Sequence, residues 1–306
     1  MNDIKIVEKV SKTQFSIFMR QLHILALVQH SVESEKLNYR SIADLLSSIS
    51  WDSDADDGKI KRSVNNLKSM GFPIHTAQGE DRIFLERELS DDEMLEILPY
   101  YLNVVSDTVG IRDCFKNYVA NQKSRSLWII ARIYFASLHK KQIRLAYYSV
   151  NKGREEVYTL NPYRWVYRDN AVYLIARNIL KGDDISLYRL NRIKDLTVTD
   201  IGFDDEIPAA DELMKHSMGA FINSRNFNVR LAFKTEYRER IEEEFGHLEI
   251  RYTEADEDGF MYADFTVCDI INVCKAVFGY CGKVKIIGDS DAVGEMKRMI
   301  EGNSVY

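Results

Sequence analysis

Cysteine is scarce in this sequence, and long apolar runs are absent. The four cysteines of the 306-residue chain show no CxxC spacing and no neighbouring pair of histidines. We therefore expect reduced, packed thiols rather than a disulfide framework or a zinc site. No apolar run approaches the roughly 20 residues that a membrane span requires, and the N-terminus lacks the hydrophobic segment of a secretion signal. These absences predict a soluble, cytoplasmic protein with no membrane partner.

The residue patterns that catalysis commonly needs are also missing. The six histidines are scattered, no HExxH or Cys/His cluster occurs, and no glycine-rich loop precedes a helix. The glutamates at 242–244 lie in a charged helical pattern, which is typical of a solvated surface. We predict that the chain is not an enzyme and that it needs no metal or cofactor.

Charge is distributed unevenly along the chain, although the net value is only -6. Residues 140–194 carry 12 Lys and Arg side chains against 5 Asp and Glu, whereas residues 195–306 carry 12 against 23. The middle of the chain is thus a basic island in an acidic sequence. This asymmetry predicts an anionic ligand for residues 140–194.

The first 85 residues predict three helices followed by two short strands. Apolar residues recur at helical spacing over 14–30, 39–49 and 58–70, and Gly71 ends the third helix. Two strands are predicted on either side of a turn at 78–81. This order is that of a winged helix-turn-helix, whose third helix enters the major groove of duplex DNA.

The composition of the third predicted helix fits contact with DNA. Residues 58–78 contain no acidic side chain, although both flanks are acidic, and a carboxylate there would repel the phosphates. Asparagine amides can read adenine edges, while lysine and arginine position a helix on the backbone. The predicted DNA-binding residues are Lys59, Lys61, Arg62, Ser63, Asn65, Asn66 and Lys68 on the helix, with His75 and Arg82 on the wing. Alternatively, this helix presents an ordinary solvated surface.

The rest of the chain predicts three more regions, within an α+β multidomain fold. Ser90 and Glu93 form a capping box that opens a helix to about residue 105, and another helix spans 123–139. Residues 143–198 hold about five short strands separated by turn signals, typical of a small β-barrel. The predicted regions are the winged helix-turn-helix at 1–88, a helical linker at 89–140, the barrel at 141–205 and a C-terminal α+β sandwich at 226–306.

Two blocks in the middle of the chain carry a family resemblance. The block AVYLIA at 171–176 stands where a Trp-Tyr-Leu signature is expected, and YRLNRI at 188–193 is similar to an aromatic-Arg-Leu-Asp-Arg-Ile strand. IRLAYYS at 143–149 and LNPY at 160–163 match the two preceding strands. In these blocks the sequence resembles the WYL-domain family of bacterial regulators, some of which are repressors of phage-defence operons.

The resemblance implies an SH3/Sm-like WYL barrel followed by an extension that contributes to dimer contacts. It also implies a basic site for a nucleotide or single-stranded nucleic-acid effector, because arginines beside aromatic rings suit phosphate clamping and base stacking. Carried over position by position, that site comprises Tyr147, Ser149, Tyr173, Arg189 and Arg192, to which charge and strand position add Arg164 and Arg177. Alternatively, Arg189 or Arg192 forms a structural ion pair with the acidic C-terminal region.

Two departures from the family pattern and one point of strand geometry bear on the predicted ligand site. Val172 replaces the signature Trp, and Asn191 replaces the Asp between the two arginines. Arg189 and Arg192 alternate to opposite faces of a regular strand, so they can share one site only where the strand bends.

Two functions fit these patterns. The first is a homodimeric repressor that binds an inverted-repeat operator in double-stranded DNA, with an affinity that the effector changes. The second is an effector-binding accessory subunit that modulates a partner nucleic-acid-targeting enzyme and keeps a vestigial winged helix. The uninterrupted basic third helix favours the first.

Overall fold

The computed structural model describes most of the chain. The described residues are 12–31, 37–48, 52–77, 82–102, 109–181, 185–206, 209–219, 222, 226–288 and 291–303. The fold is mixed α+β and divides into two compact units, Met1–Tyr158 with Leu190–Gly202 and Thr159–Arg189 with Phe203–Tyr306. In these ranges, every helix is too short or too polar to cross a membrane.

The N-terminal helices form where the apolar spacing predicts them. Helices α1 (Lys12–His30), α2 (Tyr39–Ser48) and α3 (Asp57–Ser69) precede strands β1 (Ile74–Ala77) and β2 (Arg82–Leu85), which pair antiparallel. The carboxylate of Asp56 accepts a hydrogen bond from the Lys59 amide at 2.8 Å and caps α3. Gly71 leads the chain out of the helix at φ +93°, a conformation that costs glycine little.

Three further helices follow in the first unit. They are α4 (Asp91–Leu102), α5 (Val109–Gln122) and α6 (Ser126–Leu138). The predicted capping box is confirmed at α4, where the Glu93 amide donates to Ser90 Oγ at 3.3 Å and the Ser90 amide donates to Glu93 Oε2 at 2.7 Å. The sequence did not predict α5, and the predicted helix end near residue 105 lies outside the described residues.

A five-stranded sheet occupies the middle of the sequence. Its strands are β3 (Lys141–Ser149), β4 (Arg154–Arg168), β5 (Ala171–Asn178), β6 (Ile185–Arg189) and β7 (Ile193–Gly202), in the order β6-β5-β4-β3-β7. Over 141–181 and 185–202 this sheet is open, with β6 and β7 as edges, and it differs from the closed barrel that the resemblance implies. A 3-10 turn at Leu190–Arg192 follows the five-residue strand β6, and β7 then pairs with β3.

The turn between β4 and β5 is tightly fitted within the second unit. Asp169 and Asn170 both have positive φ, at 48° and 54°, as the favoured two-residue hairpin turn requires. Arg168, just before them, donates from Nη2 to the Ser217 carbonyl at 3.3 Å. Gly219 has φ +78°, and a Cβ there would lie 2.7 Å from Asp169 Oδ2. The Asp169 side chain could move to relieve that contact, so it is the positive φ at 219 that favours glycine there.

The C-terminal part of the second unit alternates strands and helices, as the sequence predicts. After α7 (Ala210–Met214) come β8 (Phe227–Lys234), α8 (Arg238–Phe245), β9 (Arg251–Tyr252), β10 (Phe260–Val267), α9 (Ile270–Gly279), β11 (Val284–Ile287) and α10 (Asp291–Asn303). The strands form an antiparallel sheet in the order β11-β8-β10-β9. Leu231 and Phe233 alternate inward along β8 and share a core with Ile241 of α8 and Val273 of α9.

Burial controls the charge of one histidine in the helical core of the first unit. His23 of α1 is 4% exposed, its Nδ1 lies 3.1 Å from the Tyr101 hydroxyl, and desolvation lowers its pKa to about 3. A folded pKa below the unfolded value means that His23 favours the folded state only when neutral. Its contribution to stability is therefore complete above pH 6.5 and is lost as the pH falls towards 3.

We expect the free energy of unfolding to decrease by up to roughly 1.4 kcal/mol per pH unit in this window, measured by urea denaturation. The variant His23→Asn keeps a polar atom near Nδ1 but does not titrate, so it is expected to lose most of this pH dependence. An identical pH profile for the variant would show that His23 is not the responsible group.

Candidate nucleic-acid interface and ligand face

Helix α3 has a buried face and an exposed polar face. Ile60, Val64 and Leu67 are at most 1% exposed and are spaced for one side of the helix. The exposed side chains opposite them are Lys61, Arg62, Asn65 and Asn66. Ser63 departs from the predicted contact set: it is only 2% exposed and lies on the buried face, so its hydroxyl cannot reach a duplex.

The exposed side chains of α3 are not engaged elsewhere in the described part of the chain. Lys61, Arg62, Asn65 and Asn66 make no side-chain hydrogen bond or ion pair there. The other two lysines are held: Lys59 Nζ donates to the Asp54 carbonyl at 2.6 Å, and Lys68 Nζ donates to Thr76 Oγ1 at 2.7 Å. The second bond ties the end of α3 to strand β1.

The two predicted wing residues lie on one face of the β1–β2 hairpin. His75 pairs with Phe84 in the register, and Arg82 is two residues from Phe84 on the same strand. The Arg82 guanidinium lies 5.2 Å from the Phe84 ring centroid, and His75 Nδ1 lies 2.8 Å from Glu86 Oε1. The Phe84 ring thus contacts a cation of the same strand, while residues 78–81 between the strands lie outside the described ranges.

Three acidic residues at or just before the start of α3 have partners within the protein. The Lys59 amide, which donates to the Asp56 carboxylate, lowers the pKa of Asp56 and keeps this cap charged. Asp57 Oδ1 lies 3.9 Å from Arg40 Nη1 of α2, and Asp52 forms an ion pair with Arg20 of α1. Sequence reasoning missed Arg20, although a lone arginine within the apolar pattern of 14–30 was a signal for a buried partner.

In the second unit, the register places four predicted ligand residues on one face of β4, β5 and β6. Tyr173 pairs with Arg189, Arg164 pairs with Ile175, and Arg177 pairs with Ile185. Directly opposed residues of antiparallel strands share a face, and so do residues two apart on one strand. Tyr173, Arg164, Arg177 and Arg189 therefore point to the same side, which we call the arginine face.

Arg177 and Arg164 of this face differ in their partners. Asp205 Oδ1 accepts from Arg177 Nη1 at 3.1 Å, and its Oδ2 accepts from the Asn161 amide at 2.7 Å and the Tyr163 hydroxyl at 2.6 Å. Arg164 has a buried Nε and makes no hydrogen bond or ion pair within the described residues of its unit. The charge of Arg177 is therefore compensated, whereas half-buried Arg164 has no partner among the described residues.

An apolar patch lies in the centre of the arginine face. Tyr163, Ile175 and Phe203 form a small buried cluster. The half-buried side chains packed against it are Val166, Ile185, Leu187 and Leu213. Because this cluster is buried, the centre of the arginine face is packed within the protein, and only half-buried side chains around it, such as Tyr173 and Arg164, border solvent.

The remaining predicted ligand residues belong to the first unit. Tyr147 of β3 is 7% exposed and meets the Tyr158 ring edge-on at 6.1 Å between centroids. Ser149 ends the same strand, and Arg192 closes the 3-10 turn before β7. Both are half-buried.

Both departures from the family pattern have a local explanation. Val172 is fully buried and, as the neighbour of Tyr173 on one strand, points away from the arginine face. The absence of an indole at 172 therefore removes no stacking surface from that face. Asn191 Oδ1 accepts from Cys114 Sγ at 3.5 Å, so the side chain has a packing role inside the first unit.

Comparison with known proteins supports the resemblance over the middle of the chain. Residues 129–198 match the WYL domain family. Among solved structures, proteasome accessory factor B/C (PafBC) of Arthrobacter aurescens overlaps with a TM-score of 0.30 at 13% identity, covering 96% of this chain and 55% of that one. The chain thus spans about half the length of PafBC. A structure described as a CRISPR Cas-related protein overlaps with a TM-score of 0.41 at 16% identity, covering 100% and 87%. No curated protein matches the chain.

Removing the Asp205 carboxylate should destabilise the second unit. Asp205→Ala leaves three donors without this acceptor, and we expect a decrease of roughly 1–3 kcal/mol in the free energy of unfolding. Asp204→Ala, at the exposed neighbouring position, is the matched control and should change stability little. Equal stability of the two variants in urea denaturation would contradict the assigned role of Asp205.

Proposed function

We propose that this chain is a ligand-responsive, DNA-binding transcription regulator. In this proposal α1, α2, α3 and the β1–β2 hairpin form a winged helix-turn-helix, and α3 enters the major groove. The observation that carries it is the outer face of α3, where Lys61, Arg62, Asn65 and Asn66 are exposed and unengaged within the described residues. No carboxylate lies between Gly58 and Gln78 to oppose a phosphate.

The four side chains divide by chemistry. Arg62 and Asn65 are three residues apart on one helical face. Arginine pairs with guanine and asparagine with adenine in the major groove, while Lys61 contributes charge to phosphate contact. Lys68 and Lys59 are held by protein acceptors and orient the helix. This assigns base reading to the exposed centre of α3 and positioning to its ends.

The proposed effector binds at the arginine face. Arg164 lies on β4 and Arg189 on β6, two strands away and offset by two residues in the register. In a flat sheet this places their Cα atoms about 12 Å apart, with Tyr173 of β5 between them. A ring flanked by two guanidinium groups fits a base with its phosphates, as in a nucleotide or short single strand. We propose that the protein is a homodimeric repressor with two states of different operator affinity. The effector changes operator affinity because it binds one of these states more tightly than the other.

Arg62→Ala combined with Asn65→Ala should abolish specific binding to DNA. Each lost bidentate base contact costs about 1–3 kcal/mol, so specific affinity should fall by at least tenfold. The measurement is fluorescence anisotropy on a duplex that the full-length protein selects from a random pool. Arg298→Ala, which removes an exposed arginine of α10, is the control. Undiminished affinity of the double variant would refute the assignment of α3.

The selected duplex should also carry an inverted repeat. A two-fold dimer places its recognition helices about 34–36 Å apart or at a multiple, so half-sites should be separated by roughly 10 bp or a multiple. Footprinting on the selected duplex checks this spacing. A single undivided half-site would contradict the dimer.

Arg164→Ala combined with Arg189→Ala should remove the effector response and leave operator binding intact without effector. Two separate arms, a nucleoside diphosphate and a single-stranded oligonucleotide of ten thymidines, are titrated against the protein–operator complex. The arm that shifts operator affinity in the native protein identifies the class of effector. Arg298→Ala, which removes an exposed arginine of α10 outside the arginine face, is the control. A normal response of the double variant would place the effector site elsewhere.

A further inference from the structure

A buried ion pair connects α1 to the loop before α3. Arg20 Nε donates to Asp52 Oδ2, and the two side chains are only 9% and 10% exposed. Removing two charges from water is costly, and such a pair persists only where hydrogen bonds satisfy the remaining polar groups. Arg20 lies in the middle of α1, so the loop is attached to a rigid element of the core.

Asp52 is also the centre of the hydrogen bonds of that loop. Its amide donates to the Leu46 carbonyl at 3.1 Å, and its carbonyl accepts from the Ala55 amide at 3.1 Å and from Ser47 Oγ at 3.3 Å. Its second carboxylate oxygen accepts from the Asp54 amide at 3.2 Å. One residue therefore contacts the end of α2, the interior of the loop and α1.

The helix that follows begins close to this point. Asp56 caps α3 four residues after Asp52, and Arg62 and Asn65 stand on the second and third turns. A displacement of the loop would move the first turn of α3, and the outer face would move with it. Major-groove recognition tolerates little displacement, because a base contact requires hydrogen-bond distance and alignment.

We propose that Arg20 and Asp52 are positioning residues for DNA recognition, which set the outer face of α3 against the duplex without touching it. This inference rests on the proposed function. Stability alone does not require the pair, because well-packed apolar residues of similar volume commonly replace a buried ion pair without loss. What apolar residues cannot reproduce is the directional attachment of Asp52 to Arg20.

The test separates stability from recognition. The double variant Arg20→Met with Asp52→Leu removes both charges and leaves neither buried alone. For the native protein and the variant, the unfolding midpoint is measured together with the affinities for the selected duplex and for the unselected random pool. We expect a midpoint close to the native value and at least a tenfold decrease in the ratio of the two affinities. Retention of that ratio would overturn the proposal.

A second, milder variant tests the proposal even if the double variant does not fold. Asp52→Asn keeps the backbone hydrogen bonds and one side-chain acceptor for Arg20. Binding is measured at a fixed interval below the unfolding midpoint of each variant, so that every sample is folded. We expect a smaller decrease in the affinity ratio than in the double variant, together with faster amide exchange in the first turn of α3. An affinity ratio equal to the native value with native exchange rates would also overturn the proposal.

The control is an ion pair of the same unit that is not attached to α3. Arg87 and Glu93 form an exposed bidentate pair at 2.8 and 2.9 Å, and Arg87→Gln should leave the affinity ratio unchanged. A comparable decrease in this control would attribute the effect to the loss of any arginine and reject the proposal.

If the native protein selects no duplex, the proposed function fails and this inference fails with it. If the native protein selects one and the variants keep its affinity ratio, only the inference fails.

Discussion

The proposed recognition surface of α3 depends on how three carboxylates are held beside it. Asp52, Asp56 and Asp57 stand directly before an outer face that carries four cationic or amide side chains. Each has a partner in the protein: Arg20 for Asp52, the first turn of α3 for Asp56 and Arg40 for Asp57. Two of them also lie at the positive end of the helix dipole, where negative charge is stabilising. These three carboxylates are thus paired within the protein and help to order the start of α3.

The second constraint is the two-residue period of β5. Val172, Leu174 and Ala176 are fully buried, whereas Tyr173 and Arg177 are half-buried on the other side. One strand therefore supplies both packing and the ligand chemistry of the arginine face. For this reason the identity of the residue at 172 has little influence on that face, although the neighbouring position carries its central aromatic ring.

Much of the fold was predictable because it rests on local patterns. Periodicity located α1, α2 and α3, and the Ser90 and Glu93 pattern located the start of α4. Helix α5 was not predicted from the sequence, because its apolar residues are interrupted by charges and its burial depends on partners distant in the sequence. The sequence could not show whether the sheet closes into a barrel, because pairing of edge strands is a non-local property that no sequence window contains.

The residue types of the candidate site could be predicted from the sequence, but the burial and the partners of its side chains could not. The sequence indicated the cationic and amide residues of α3, yet it could not distinguish exposed Asn65 from buried Ser63, two positions away. It also could not foresee that Asp205 compensates Arg177 while Arg164 has no partner among the described residues. Such distinctions arise from contacts between segments tens of residues apart.

Gly219 illustrates how a residue can influence the arginine face from a distance. Its Cα fits against the Asp169 carboxylate in the turn that joins β4 to β5, and both strands contribute arginines to that face. Under the proposed function, a genetic screen for loss of the effector response would recover substitutions at 219, because any side chain at a φ of +78° strains the chain beside this hairpin. Such alleles would resemble defects in effector binding, although position 219 is not one of the residues of the arginine face.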